Sequence, residues 1–132
     1  MKTAPELQLL AVGAAVGVVQ ILWAAAAANR QRADLGWAIG SRDEPRPLTG
    51  VAGRLERALR NYLETFPLFA AVVVVAYLAG KLGPLTLWGS GLYVAARALY
   101  VPLYAAGAPM VRSLVWTVGL VGILLVLAAI FL

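Results

Sequence analysis

Residues 54–69 read RLERALRNYLETFPLF, from Arg54 to Phe69, and run without a break into an apolar block from Pro67 to Ala79. Arg54 to Phe66 holds helix-forming residues and neither glycine nor proline, so a helix can begin in water there and continue into lipid. The span is read as 51–79. Working outward, the other apolar blocks are Met1 to Ala28, Leu85 to Ala106 and Met110 to Leu132. A bilayer core of roughly 30 Å needs about 20 apolar residues per helical span. Backbone groups in lipid must be paired within a helix or a closed barrel, and the period-two alternation of a barrel strand is absent. The expected fold is an all-α integral membrane protein, a four-transmembrane-helix up-down bundle. Its approximate spans are 5–28, 51–79, 85–106 and 110–132, with a polar loop at 29–50, all within a single domain over 1–132.

Composition agrees with that reading. Of 132 residues 62% are apolar and 13% charged, and mean hydropathy is +0.84, which leaves too little polar surface for a soluble domain of this size. There is no cysteine and no histidine. Disulfides, a thiol nucleophile, haem attachment and an ordinary zinc site are thereby excluded, and no metal is expected. Any chemistry falls to Arg, Tyr, Glu, Asn and Ser, or to a bound cofactor. A net charge of +5 and a pI near 10.1 would suggest nucleic acid in a soluble protein. In a membrane protein arginines set topology, and no nucleic-acid partner is expected. Arg30, Arg32, Arg42, Arg46, Arg54, Arg57 and Arg60 fall between the first two spans, against Lys81 and Lys2 elsewhere. The arginine-rich loop is therefore expected in the cytoplasm, with the turn 107–112 beside it and both termini outside.

Glycines and prolines at 36, 40, 45, 47, 50 and 53 argue against a continuous helix through the loop, although a short helical turn around Asp34 to Ile39 fits. Lys2, an apolar stretch and the Ala24 to Ala28 run imitate a signal peptide. That stretch is long for one and is preceded by Glu6, so a retained first span is the reading adopted. Gly13 and Gly17 form a small-xxx-small pair that would admit a close neighbouring helix.

Arg57, Arg60, Asn61 and Glu64 are spaced i, i+3, i+4 and i+7, one face of the second helix reaching from the interface into the membrane. Glu64 at that depth needs a partner, and Arg60 four residues earlier could bridge to it. Arg97, Tyr100 and Tyr104 form a matching stripe on the third helix, and Arg112 with Ser113 opens the fourth. A lone Arg97 in an apolar span costs at least about 2.5 kcal/mol, so it should face Glu64 or an anionic ligand. These residues suit either a polar seam between helices or a ligand site. Tyr93, Tyr100 and Trp116 also suit interfacial anchors.

The run R-A-x-x-N-x-x-E-x-F-P-x-F from Arg57 to Phe69 does not stand alone. With A-R-x-x-Y-x-x-x-Y from Ala96 to Tyr104 and R-S at Arg112 and Ser113, it resembles the MAPEG family, membrane-associated proteins in eicosanoid and glutathione metabolism, and most of all its prokaryotic branch. The resemblance implies a homotrimer with a glutathione pocket between neighbouring subunits. It implies that Arg57, Arg60, Asn61 and Glu64 hold the tripeptide, with Arg97, Tyr100 and Tyr104 on the facing side and Arg30 or Arg32 adding a further arginine. It also implies that Arg112, or else Ser113, stabilises the thiolate. Membrane lipids, an apolar electrophile arriving from lipid, and the inner membrane in a prokaryotic cell complete the expectation.

Three functions follow. The first is a glutathione-dependent transferase or peroxidase acting on apolar electrophiles or lipid hydroperoxides. The second is a non-catalytic lipid- or partner-binding scaffold of the same fold. The third is a small transporter coupled through Glu64, ranked last for want of inverted repeats or broken helices.

Overall fold

The computed structural model describes residues 3–32, 40 and 47–132, and the helical turn expected at Asp34 to Ile39 lies outside them. Four helices follow one another: α1 (Pro5–Arg32), α2 (Gly50–Leu78), α3 (Pro84–Ala106) and α4 (Pro109–Phe131). The first continues past Ala28 to Arg32, because the polar residues Asn29 to Arg32 include neither glycine nor proline to stop it. Among the described residues there are no strands.

Local chemistry fixes the turns. After α2, Gly80 takes a left-handed φ of 69°, and the Lys81 N–H donates back to the Ala76 carbonyl at 2.9 Å. After α3, Gly107 repeats the device at φ 77°, with the Ala108 N–H donating to Leu103 at 3.2 Å. Both are Schellman-type closures that only glycine enters without strain. Pro84 and Pro109 then open the next helices, where the missing N–H costs nothing. Across the longer connection, the Gln31 amide donates to the Thr49 carbonyl at 2.9 Å and accepts from the Thr49 N–H at 2.8 Å, tying the end of α1 to the start of α2.

Helices α1, α2 and α4 are long and apolar enough to cross a membrane. Helix α3 has the length of α4 but is not among them. It carries Thr86, Ser90, Tyr93, Arg97 and Tyr100, and buries all five. It packs on the other three helices, whereas α1 and α4 do not touch among the described residues. Association in lipid rests on close packing and hydrogen bonds, since lipid tails are as apolar as leucine. Small residues accordingly stand where backbones meet. A Cβ on Gly122 would lie 2.5 Å from the Gly89 carbonyl oxygen and 2.7 Å from the Tyr93 nitrogen, so α3 and α4 are in backbone contact there. Gly13 and Gly17 admit the side chains of α2, with Tyr62 and Phe66 filling the space a Cβ would take. The Tyr62 hydroxyl donates to the Gly13 carbonyl, and Phe69 stacks on Tyr93 at 4.2 Å between centroids.

Candidate functional site

Helices α2, α3 and α4 enclose a cleft of about 450 Å³ at the arginine-rich end of the bundle, lined by Asn61, Tyr100, Tyr104, Arg112, Ser113, Trp116 and Thr117. Five of these are residues singled out from the sequence, contributed by three helices, and the volume is that of a small-molecule site. Trp116, which the sequence offers as an interfacial anchor, and Thr117 complete the lining. The signal that could have found them is helical: each lies four residues after Arg112 or Ser113, on the same face.

Tyr104 organises the mouth. Its hydroxyl accepts from Arg57 Nε at 3.3 Å, and the Arg112 guanidinium lies 4.5 Å from its ring centroid. Arg54 Nε donates to the Ala105 carbonyl at 2.9 Å, which fixes the end of α3 and the turn that carries Arg112. Arg112 is half-buried in the first turn of α4 and has no carboxylate partner among the described residues. Ser113 differs: its hydroxyl donates to the Pro109 carbonyl at 3.1 Å, so its proton is already engaged. The Oδ1 of Asn61 is buried without a partner at the cleft wall.

Among the remaining residues, the ion pairs that the sequence suggested are not made. The α2 stripe divides: Arg57 and Asn61 turn toward α3, while Arg60 and Glu64 are exposed on the outer flank. Adjacent residues of a helix point about 100° apart, so a spacing of i, i+3, i+4, i+7 covers a wide face whose edges meet different neighbours. The Arg60–Glu64 bridge does not form. Arg60 instead lies 3.8 Å from Glu56, one turn back, with both side chains largely exposed. Nor does Arg97 meet Glu64. It is 2% exposed, stands behind the cleft wall and faces tyrosine rings, with its guanidinium carbon 4.1 Å from the Tyr100 centroid and 5.5 Å from that of Tyr62. Arg30 lines a separate cavity of about 580 Å³ between the end of α1 and the start of α2, with Gln31 and Thr49, and Arg32 is half-buried at the last residue of α1.

Chemically, the cleft offers hydrogen-bond donors, an aromatic floor and the Arg112 guanidinium, which has no carboxylate partner among the described residues. It suits an anionic guest of several functional groups. Comparison with known proteins agrees with the architecture. The model of the MAPEG family matches residues 9–132, whereas no curated protein and no solved structure matches the chain. A match over that length, on a helical membrane bundle whose second, third and fourth helices converge on one polar cleft, establishes that the chain belongs to the MAPEG family.

Proposed function

We propose that the protein is a membrane-bound, glutathione-dependent transferase or peroxidase in which Arg112 stabilises the glutathione thiolate. The observation that carries this reading is the Arg112 guanidinium, without a carboxylate partner among the described residues, in a cleft shared with Asn61, Tyr100 and Tyr104. A free thiol ionises above neutrality, so a nucleophilic glutathione needs a positive group beside its sulfur. The helix N-terminus that bears Arg112 adds to the same field. The thiol proton leaves to solvent. The thiolate then attacks an apolar electrophile, forming a carbon–sulfur bond and expelling the leaving group. With a lipid hydroperoxide it attacks the terminal oxygen and breaks the O–O bond, and the expelled alkoxide takes a proton from solvent to leave as the alcohol. The sulfenic acid condenses with a second glutathione to a disulfide and water.

The tripeptide presents two carboxylates and one amine. Arg57 and Arg60 suit the carboxylates, Glu64 the amine, and Asn61 a peptide group. Arg60 and Glu64 lie on the outer flank of α2, and charged side chains at that depth require cover from lipid. A second copy of the chain supplies that cover in a homotrimer and brings its own Arg30 or Arg32 toward the ligand. The arginine-rich end then faces the cytoplasm, where glutathione is made, while the electrophile enters from the bilayer.

One observation favours a second reading, a lipid-binding scaffold without thiol chemistry. An apolar groove of about 330 Å³ lies between α1 and α3, walled by Val12, Val16, Val19, Trp23, Val101 and Pro102. Titration of the detergent-solubilised protein with glutathione, followed by thiolate absorbance in the ultraviolet, separates the two. A saturable signal lost in Arg112→Ala and weakened in Glu64→Gln supports the transferase. No signal from a folded protein that retains lipid supports the scaffold.

A further inference from the structure

Arg97 is a buried charge with no carboxylate partner among the described residues. It is 2% exposed, and none of its three guanidinium nitrogens has a hydrogen-bond partner among the described residues. The glutamates among the described residues are all placed elsewhere: Glu6 accepts from Thr86, Glu56 lies beside Arg60, and Glu64 is on the outer flank. The groups around Arg97 on every helix are neutral or positive. Helix α2 presents Tyr62; α3 presents Tyr93 and Tyr100; α4 has a single charged residue, Arg112; and α1 has no charged residue between Glu6 and Arg30. The adjoining void, lined by Tyr93, Arg97 and Trp116, has no room for a water molecule. Tyrosine faces attract a cation but do not neutralise it, and a lone buried charge is costly.

The cleft lies beyond Tyr100, and Trp116 borders both the cleft and the void beside Arg97. Tyr100 packs on Arg97 at 4.1 Å on one side and lines the cleft on the other. We infer that Arg97 is a positioning and electrostatic residue for the cleft: without touching the ligand, it holds Tyr100 from behind and supplies a fixed positive field that the ligand's anionic sulfur compensates. The inference rests on the proposed thiolate chemistry and adds a second source of its stabilisation beneath Arg112. The field also favours anions over neutral guests of the same shape. A charge about 10 Å away, at the effective dielectric typical of proteins, shifts a thiol midpoint by about one pH unit.

The test compares wild type with Arg97→Gln and Arg97→Lys in detergent. Three quantities are read: the melting temperature without ligand, the pH midpoint of thiolate formation by bound glutathione, and the affinities for glutathione sulfonate and S-hexylglutathione. Arg97→Gln is expected to melt no lower than wild type, since an uncompensated charge has been removed. It should raise the thiolate midpoint by about one unit and weaken the sulfonate about tenfold relative to the S-hexyl compound. Arg97→Lys, which keeps the charge, should keep the midpoint near wild type. An unchanged midpoint in Arg97→Gln, equal losses for both analogues, or a ligand-free melt well below wild type makes Arg97 a structural strut and overturns the inference. If Arg97→Gln does not fold, Arg97→Lys decides: a midpoint raised as far as one unit despite the retained charge overturns it too. Failure of the proposed function reads differently, as a wild type that forms no thiolate at all, and it takes the inference with it.

Discussion

The Arg57 side chain donates to the Tyr104 hydroxyl at 3.3 Å, joining α2 to α3 across the mouth of the cleft, while Arg112 lies 4.5 Å over the same ring. One tyrosine thus serves two arginines by different atoms. Tyr104→Phe removes the acceptor and keeps the ring. Calorimetric titration should show glutathione affinity reduced about fivefold, the value of one hydrogen bond near 1 kcal/mol. Tyr104→Leu removes both supports and should cost about a further fivefold, because the cation–π contact is of similar size.

Backbone contact between α3 and α4 gives a sharper test, on stability. A Cβ on Gly122 would meet the backbone of both Gly89 and Tyr93, at 2.5 Å and 2.7 Å, and backbone cannot yield as a flexible side chain does. Gly122→Ala should lower stability by about 2–3 kcal/mol, the cost of overpacking a tight core. Gly91, two residues from Gly89 and therefore on the opposite side of α3, has nothing within 4 Å of its Cβ position. Gly91→Ala should leave the thermal melt unchanged or raise it slightly, since alanine is the better helix former.

The helices were legible because hydropathy and turn chemistry act locally: Gly80, Lys81 and Pro84 end one span and begin the next with no help from the rest of the chain. The polar cleft was legible in outline, since Asn61, Tyr100, Tyr104, Arg112 and Ser113 sit at helical spacing on three helices and do converge. What spacing could not give is which edge of a wide face meets which neighbour. Arg60 and Glu64 share the stripe of Arg57 and Asn61 yet lie on the flank, because packing of α2 on α3 centres on its other edge. Arg97 faces away from lipid, but toward aromatic rings and not Glu64, and the attraction of rings for a cation leaves no charge pattern in a sequence. Gly89 and Gly122 lie in different helices, so their contact has no sequence period.

At the opposite end of the bundle, Thr86 stands between two groups. Its hydroxyl donates to Glu6 Oε1 at 2.8 Å and accepts from the Gly83 N–H at 2.8 Å, both within reach of a fully buried side chain. Thr86→Val keeps the volume and removes both bonds, leaving the buried Glu6 carboxyl without its donor. It should lower stability by about 2–3 kcal/mol, the cost of stranding a buried polar group. Thr86→Ser keeps the hydroxyl and should recover most of the loss in the same thermal melt. Equal melts for the valine and serine variants would show that the hydroxyl contributes nothing.

The division of labour between Arg112 and Ser113 can be separated in one series. Ser113 donates its hydrogen to the Pro109 carbonyl at 3.1 Å, a bond within its own helix, and so has no proton free for a sulfur in the cleft. Ser113→Ala should therefore leave the amplitude and the pH midpoint of the glutathione thiolate signal within about twofold of wild type, as expected when only a weak intrahelical bond is lost. Arg112→Lys keeps a charge but loses the planar group that lies on Tyr104, and a flexible ammonium does not reproduce that stacked geometry. Its thiolate signal should fall about tenfold, between wild type and Arg112→Ala, in line with one charge-assisted contact of about 1.5 kcal/mol. A serine variant that lost the signal while Arg112→Ala retained it would reverse the assignment. It would mean that the Ser113 hydroxyl rotates away from Pro109 when the ligand binds, leaving Arg112 to anchor a carboxylate.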